Sequence, residues 1–353
     1  MTTNGGDVAG SRRHAGSPSR PTVDSVAERA GVSRQTVSNA LNAPERLRPD
    51  TLARVLVAIE ELGYRPHSAA RNLRTRLTQV IGCRLLPETS GAAGGVLDRF
   101  MHSLCEAARD RSYDVLVFSA RNDDDELASY DELLRRTAVD GFVLAGTHFV
   151  DARPDWLLDR GTPFVAFGRP WGVRRAKHSW VDVDGAAGTA NAVAHLAEQG
   201  HRRIGFIGWP GSSGVGDDRR QGWYDELRRR RLPVRGLEAN GEDGIATGEA
   251  LAGRLLDSAQ PPTALVCVSD SMALGALHAL EDRKLRPGPD VGVVGFDDSL
   301  VAAAVRPGLT SIRQPLEAVA EKVVELLMDR LAGGDPVAAL IPPVLVTRAS
   351  SLR

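Results

Sequence analysis

The sequence predicts an α/β protein with a small helical domain followed by a larger, two-lobed domain of doubly wound parallel sheets. Residues 22–62 carry two short amphipathic helices separated by Gly31, followed by a third helical stretch. From Val80 onward, short apolar strands alternate with amphipathic helices, a pattern typical of parallel sheets covered on both faces. About ten such units are too many for one core, so we expect two lobes that face each other across a cleft.

The first two predicted helices are separated by a short turn at Gly31. Its apolar residues recur at helical spacing and are Val23, Val26, Ala27 and Ala30. Gly31 then favours a left-handed turn, and Ser33 can cap the next helix by accepting from its free amides. Two short helices joined in this way predict a helix-turn-helix, in which the second helix enters the DNA major groove.

The second predicted helix exposes side chains that suit base edges. Arg34 matches guanine, and Gln35 and Asn39 match adenine, so we predict that these three contact bases. We assign contacts with the DNA backbone to the hydroxyl side chains around them, namely Thr22, Ser33, Thr36 and Ser38. A purely structural three-helix cap is the alternative, but it leaves the exposed polar face unexplained.

Charge and composition agree with a basic head on an acidic body. Residues 1–77 hold 12 Arg and Lys against 7 Asp and Glu, whereas the remainder holds 32 against 38. This asymmetry concentrates the attraction for phosphate at one end, although solvated basic faces would give the same counts. We expect a disordered arm over 1–20, the helical domain over 21–66, a hinge over 67–78 and the larger domain over 79–353.

Several classes of protein find no support in the sequence. The three cysteines are widely spaced and form neither a disulfide framework nor a metal cluster, which favours a reducing compartment. There is no apolar stretch near 18 residues and no secretory signal, so we expect a cytoplasmic protein without membrane contact. Motifs for a nucleophile elbow, a zinc site or a phosphate loop are missing, so we predict no enzyme, no cofactor and no metal.

The chain resembles the LacI family of transcription regulators over nearly its whole length from residue 22. The segments AERAGVSRQTVSNALN and LARVLVAIEELGYRPHSAARNLRT resemble the recognition unit and the hinge of that family. Further along, GHRRIGFIG, SDSMALGAL, VGVVGFDDS and LTSIRQP resemble the family's body. The resemblance implies a periplasmic-binding-protein-like body, with one lobe over about 79–180 and 310–340 and the other over about 181–309 and 341–353.

The resemblance also implies that the hinge folds when two protomers meet on operator DNA. Leu73 would then wedge into the minor groove, with Ser68 and Ala70 beside it. Such a wedge unstacks bases and bends the DNA. A linker leucine that packs on the body is the alternative reading of Leu73, since so short a helix is marginal alone in water.

The cleft should hold a small effector, because ligands of such sheets bind beyond the carboxyl ends of the strands. We predict Arg169, Trp209, Arg219 and Asp270 as effector-binding residues from their places at strand ends. The resemblance implies that Arg219 and Asp270 hold sugar hydroxyls. The alternatives are ion pairs for Arg169 and Arg219, a helix cap for Asp270 and a core position for Trp209 or Trp223. Asp182 and Asp184 are predicted to cap the next helix.

The sequence thus predicts a homodimeric, sequence-specific DNA-binding regulator, a repressor by preference, on a pseudo-palindromic operator. Its effector is predicted to be a sugar, while a phosphorylated or purine effector stays open. The competing interpretation is a cytoplasmic sugar sensor whose head binds a partner protein instead of DNA.

Overall fold

The structure is a computed structural model that describes residues 21–64, 77–85 and 92–353, without the side chains of 42 and 92–94. The chain divides into one unit up to Leu77 and a second from Thr78 to Arg353, which we describe separately. The predicted arm and the hinge residues Ser68, Ala70 and Leu73 lie outside the described residues.

Over residues 21–64, the first unit forms three helices in the predicted order. They are α1 (Val23–Ala30), α2 (Arg34–Asn42) and α3 (Pro49–Leu62), with a 3-10 turn at Pro44–Arg46. Gly31 ends α1 with a φ of 65°, the left-handed conformation that glycine adopts most easily. Ser33 caps α2 by accepting from the Thr36 amide at 3.1 Å. The helix-turn-helix predicted from the sequence is therefore confirmed.

A small apolar core holds these three helices together. Val26, Val37 and Val55, one from each helix, are fully buried, and Ala58 and Tyr64 are nearly so. The apolar positions of α2 face this core, so its polar positions lie on the other side of the helix.

The second unit contains two six-stranded sheets, one for each lobe. In the first sheet all neighbouring strands are parallel, in the order β2-β1-β3-β4-β5-β11. These strands are β1 (Val80–Leu85), β2 (Asp114–Ser119), β3 (Gly141–Leu144), β4 (Phe164–Phe167), β5 (Ser179–Val183) and β11 (Ala338–Ile341).

The second sheet repeats this order as β7-β6-β8-β9-β10-β12. Its strands are β6 (Ile204–Gly208), β7 (Glu238–Asn240), β8 (Ala264–Cys267), β9 (Gly292–Asp297), β10 (Thr310–Arg313) and β12 (Val344–Val346). Within it, β12 runs antiparallel to β10. In both sheets the strand order reverses beside the first strand, where doubly wound folds place their ligands.

The helices of this unit cover the two sheets. Those that accompany the first sheet are α4 (Ala92–Asp110), α5 (Asp123–Arg135), α6 (Arg153–Asp159) and α12 (Leu316–Leu331). Those that accompany the second are α7 (Gly185–Glu198), α8 (Gly214–Arg229), α9 (Ile245–Leu256), α10 (Asp270–Asp282) and α11 (Leu300–Ala304). A 3-10 turn, Ala349–Ser351, follows β12.

The chain crosses between the lobes at Asp184, at 314–315 and at 342–343. We expected residues 310–340 in the first lobe, but strand β10 belongs to the second. The reason is that β10 pairs in parallel with β9, and Ile312 is fully buried in the second lobe's core. The chain therefore returns to the first lobe only with α12, whose apolar face packs in that lobe's core.

Candidate functional site

The recognition face of α2 presents its polar side chains to solvent. Arg34 and Gln35 are exposed and Asn39 is half-buried. The Gln35 amide donates to Asn39 Oδ1 at 3.0 Å, and Arg34 lies 2.9 Å from Asp24 on α1. The first contact joins Gln35 and Asn39 on one helix face, and the second holds Arg34 against α1. Their assignment to bases stays a prediction.

The hydroxyl side chains assigned to the DNA backbone lie near the starts of the first two helices. Thr22 caps α1 in a reciprocal box with Ser25, and Ser33 caps α2. Thr36 and Ser38 are half-buried on α2. Helix starts carry free amides that favour anions, which agrees with contacts to phosphate. Those contacts also stay predictions.

A cleft of about 230 Å³ lies between the two lobes, at the carboxyl ends of their strands. Apolar side chains from both lobes line it, among them Val96, Leu97, Phe167, Trp171, Trp209, Val215 and Phe296. Its polar lining includes Thr147, Asp182, Ser213, Asp218, Arg219, Asp297 and Gln314. Broad apolar walls with a few convergent polar groups are typical of small-molecule sites.

Arg219, on α8, is the buried cation of this cleft. Its guanidinium lies 3.6 Å from the centre of the Phe296 ring and 5.5 Å from that of Trp209. Nη1 donates to the Val268 carbonyl at 2.6 Å, while Nε has no hydrogen-bond partner among the described residues. A buried donor without a partner costs free energy, so this atom is suited to an acceptor on a ligand. The alternative for Arg219 was an ion pair, and its acidic neighbour in the structure is Asp297, at 3.7 Å from Nη2.

Asp297 is the acidic partner of Arg219 and was not predicted from the sequence. It ends β9 with a φ of 111°, a strained conformation for a residue with a side chain, and it is 3% exposed. Gln314 donates to its Oδ1 at 2.6 Å. Burial raises the pKa of the Asp297 carboxyl to about 7, against the lowering effect of Arg219.

Asp270, which we predicted to bind effector, is instead buried behind the cleft with no exposed surface. Its Oδ1 accepts from the Ser311 hydroxyl at 2.6 Å and its Oδ2 from the Ser299 amide at 2.7 Å. It does not cap α10, because Ser269 does so by accepting from the Met272 amide. The prediction for Asp270 is wrong: the acid that reaches the cleft stands at the end of the neighbouring strand, as Asp297.

Arg169 lies at the end of β4 and forms ion pairs with two acids. Its Nε donates to Asp182 Oδ2 at 2.8 Å, and its Nη1 donates to Asp218 Oδ1 at 2.9 Å. Asp218 belongs to α8 of the other lobe, so this pair bridges the cleft. Asp182 therefore pairs with Arg169 instead of capping α7, whereas Asp184 caps α7 as predicted.

Two tryptophans line the cleft, and a third lies in the core of the second lobe. Trp209 lines the cleft and donates from Nε1 to Asp243 Oδ1 at 3.0 Å. Trp223 is fully buried and donates to the Ile204 carbonyl, so its core alternative holds. Trp171, which we did not predict, lines the cleft, and its Nε1 is buried without a hydrogen-bond partner among the described residues. Its place two residues after Arg169 is the signal that could have found it.

A second polar cluster lies on the first lobe. Among the described residues, Asp123, His148 and Asp151 hold atoms close enough to share a metal ion. Both oxygens of Asp151, however, accept from Arg153 at 2.9 and 2.7 Å, and His148 lies 2.9 Å from Asp123. The chemistry of this donor set fits an ion-pair network that anchors a loop rather than a metal centre. In the part of the chain that the structure describes, no helix has the length and apolarity that crossing a bilayer requires.

A helix-turn-helix head and a two-lobed body with a lined cleft define a ligand-responsive DNA-binding regulator. The chain belongs to the LacI family of bacterial regulatory proteins. Residues 22–67 match the family described as "Bacterial regulatory proteins, lacI family", and residues 193–351 match the "Periplasmic binding protein-like domain".

Three comparisons place it within that family. It is 35% identical over 342 residues to the HTH-type transcriptional regulator CelR of Thermobifida fusca, covering 94% of this chain and 98% of that protein. A structure of a CelR–cellobiose complex matches with a TM-score of 0.68 at 32% identity, over 94% of this chain and all of that one. The lac repressor dimer bound to operator and the anti-inducer ONPF matches with a TM-score of 0.79 at 26% identity. The match covers 94% of this chain and 99% of the lac repressor chain.

Proposed function

We propose that this regulator is a repressor whose operator affinity is set by a sugar bound in the interlobe cleft. The observation that carries the proposal is the environment of Arg219. Its buried guanidinium lies on Phe296 with Asp297 beside it, and no described residue accepts a hydrogen bond from its Nε. A guanidinium donates in a fixed plane and a carboxylate accepts, which suits the adjacent hydroxyls of a sugar ring. Trp209 and Phe296 offer apolar faces for the ring's C–H surface.

The charges of the cleft favour a neutral effector over an anionic one. Asp182, Asp218 and Asp297 line the cleft, whereas Arg219 is its buried cation and Arg169 is already paired with two of these acids. Three carboxylates thus stand against two guanidiniums at the cleft, so an added phosphate group would increase an existing excess of negative charge. This argues for a sugar rather than a sugar phosphate.

The relatives suggest which sugar to test first and how the protein assembles. CelR has been solved with cellobiose and the lac repressor as a dimer on operator. By analogy we propose cellobiose as the first probe and a homodimer on a pseudo-palindromic operator as the active form. Leu73, Ser68 and Ala70 would contact the minor groove at its centre. No enzymatic role is proposed, and a chromosome-binding role implies the cytoplasm.

A thermal-shift screen of the full chain tests the effector. Cellobiose, other neutral sugars, sugar phosphates and nucleobases are added separately, and each hit is then titrated into an operator complex followed by fluorescence anisotropy. A neutral sugar that raises the melting temperature and changes operator affinity supports the proposal. Stabilisation only by sugar phosphates or nucleobases would overturn the sugar assignment.

The same anisotropy measurement tests the role of the head. Binding to a selected DNA site should weaken steeply as salt increases, because phosphate contacts release counterions. Failure to bind any DNA from a random pool would favour a head that binds a partner protein.

A further inference from the structure

Arg169 and Trp171 reach across the cleft from the first lobe to the same helix of the second. Arg169 donates to both carboxylate oxygens of Asp218, with Nη1 at 2.9 Å from Oδ1 and Nη2 at 3.3 Å from Oδ2. Asp218 is held in place by the Ala186 amide, which donates to its Oδ2 at 3.0 Å. A two-pronged pair of this kind fixes the geometry of both partners.

Trp171 makes the second contact of this set. A Cβ built on Gly214, the first residue of α8, would lie only 2.1 Å from the Trp171 ring, so the indole packs directly on that glycine's backbone. The Arg169 guanidinium lies 5.0 Å from the centre of the same indole ring. The contact therefore requires a residue without a side chain at position 214.

We infer that Arg169 and Trp171 form an interlobe clasp with Asp218 and Gly214, which holds the two lobes closed around the effector. This inference rests on the proposed role of the cleft as the sugar site. The clasp shares the cleft wall with Arg219, and the Trp171 Nε1, buried without a partner among the described residues, is the atom through which a ligand would reinforce it. Arg169 is thus a positioning residue, not the sugar contact that the sequence suggested.

Gly214→Ala tests the clasp, because its added methyl group meets the Trp171 ring while the backbone at position 214 accepts alanine without strain. Gly211→Ala is the matched control, since a Cβ at position 211 meets nothing within 4 Å. Hydroxyl-radical footprinting of the full chain, read by mass spectrometry, measures how accessible Trp171 is. Oxidation of Trp171 should be faster in Gly214→Ala and unchanged in Gly211→Ala, with fully buried Trp223 as the internal reference.

Asp218→Asn attacks the clasp at its other contact and should also expose Trp171, whereas Asp217→Asn on the same helix turn should not. Cellobiose, titrated by calorimetry, should bind about tenfold more weakly to Gly214→Ala if closed lobes fall to about a tenth of the population. Unchanged Trp171 oxidation in both clasp variants would overturn the inference. If the parent does not bind cellobiose, that sugar is eliminated, and footprinting still decides the clasp.

Discussion

The residue on which the effector site depends most is Arg219. It is 5% exposed, lies on an aromatic ring and keeps one donor without a partner among the described residues. Burial lowers its pKa, and the neighbouring acids, Asp297 first, oppose that shift. Burying a charge in such a place costs free energy of folding, so its presence points to a function. This makes Arg219 the sharpest test of the proposed site.

Arg219→Lys should weaken cellobiose binding by about tenfold to a hundredfold, the loss of roughly 1.5–3 kcal/mol expected for a hydrogen bond to a charged group. Lysine keeps the charge but loses the planar fork and its stacking. Calorimetry measures the affinity. Arg220→Lys is the control, because Arg220 is exposed on the same helix and pairs with Glu238 away from the cleft. Equal affinity in the parent and in Arg219→Lys would place the sugar elsewhere.

Asp297 makes the stability of the body depend on pH. Burial raises its pKa to about 7 in the folded state, while Asp243 and Asp270 add to the shift and Arg219 and Gln314 oppose it. Between its unfolded pKa, near 4, and pH 7 the folded chain binds the extra proton, so stability falls as the pH rises through that window.

Asp297→Asn removes this titration and should therefore stabilise the body more at pH 8 than at pH 5, relative to the parent. Thermal unfolding at the two pH values measures the difference. A gain that is the same at both would show that the Asp297 carboxyl does not titrate in that window. Asp298→Asn serves as the neighbouring control, since Asp298 pairs with Arg313 and Arg348 instead.

At the scale of elements, helix α2 is predicted to carry the base specificity of the head. Its polar face is held by the Gln35–Asn39 hydrogen bond and by Arg34 beside Asp24. Each well-placed base contact contributes about 1–3 kcal/mol of discrimination. The triple variant Arg34→Ala, Gln35→Ala, Asn39→Ala should consequently lose base preference at symmetric operator positions while it still folds around Val37.

Selection from random DNA, followed by sequencing, measures that preference. Circular dichroism of the variant controls for the helix, which keeps its Ser33 cap. Recovery of the parent's motif by the triple variant would show that other residues read the bases.

The order of strands and helices was predictable because apolar strands and amphipathic helices leave a periodic trace in the sequence. The position of Arg219 at the cleft was also predictable from its resemblance to family members. Asp270 and Asp297 were confused because each carboxylate ends or follows an apolar strand of the second sheet. Which one faces the cleft depends on backbone conformation: Asp297 has a φ of 111°, a value that residue type alone does not specify. Trp171 was missed because its role depends on Gly214, 43 residues further along the chain.

At the scale of the whole molecule, the proposed function links effector and operator through one conformational equilibrium. If a sugar weakens operator affinity by some factor, operator must weaken sugar affinity by the same factor. Calorimetry of cellobiose with the parent, alone and saturated with its selected DNA, should therefore give the ratio found by anisotropy. Coupling energies of this kind are about 1–3 kcal/mol. Two different ratios would mean that a further state or ligand takes part.

The crossings between the lobes have a consequence for how the protein is made. Five strands of the first sheet have been synthesised once Val183 is added, but α12, a helix that packs in that sheet's core, begins only at Leu316. Until then Ile81, Phe100 and Val165 lack the apolar partners that α12 supplies in the finished core. The lobe whose synthesis starts first therefore stays incomplete until α12 and β11 (Ala338–Ile341) have been made. A nascent chain stalled before Leu316 would expose the apolar surface that α12 covers in the finished lobe, and exposed apolar surfaces of this kind are bound by chaperones.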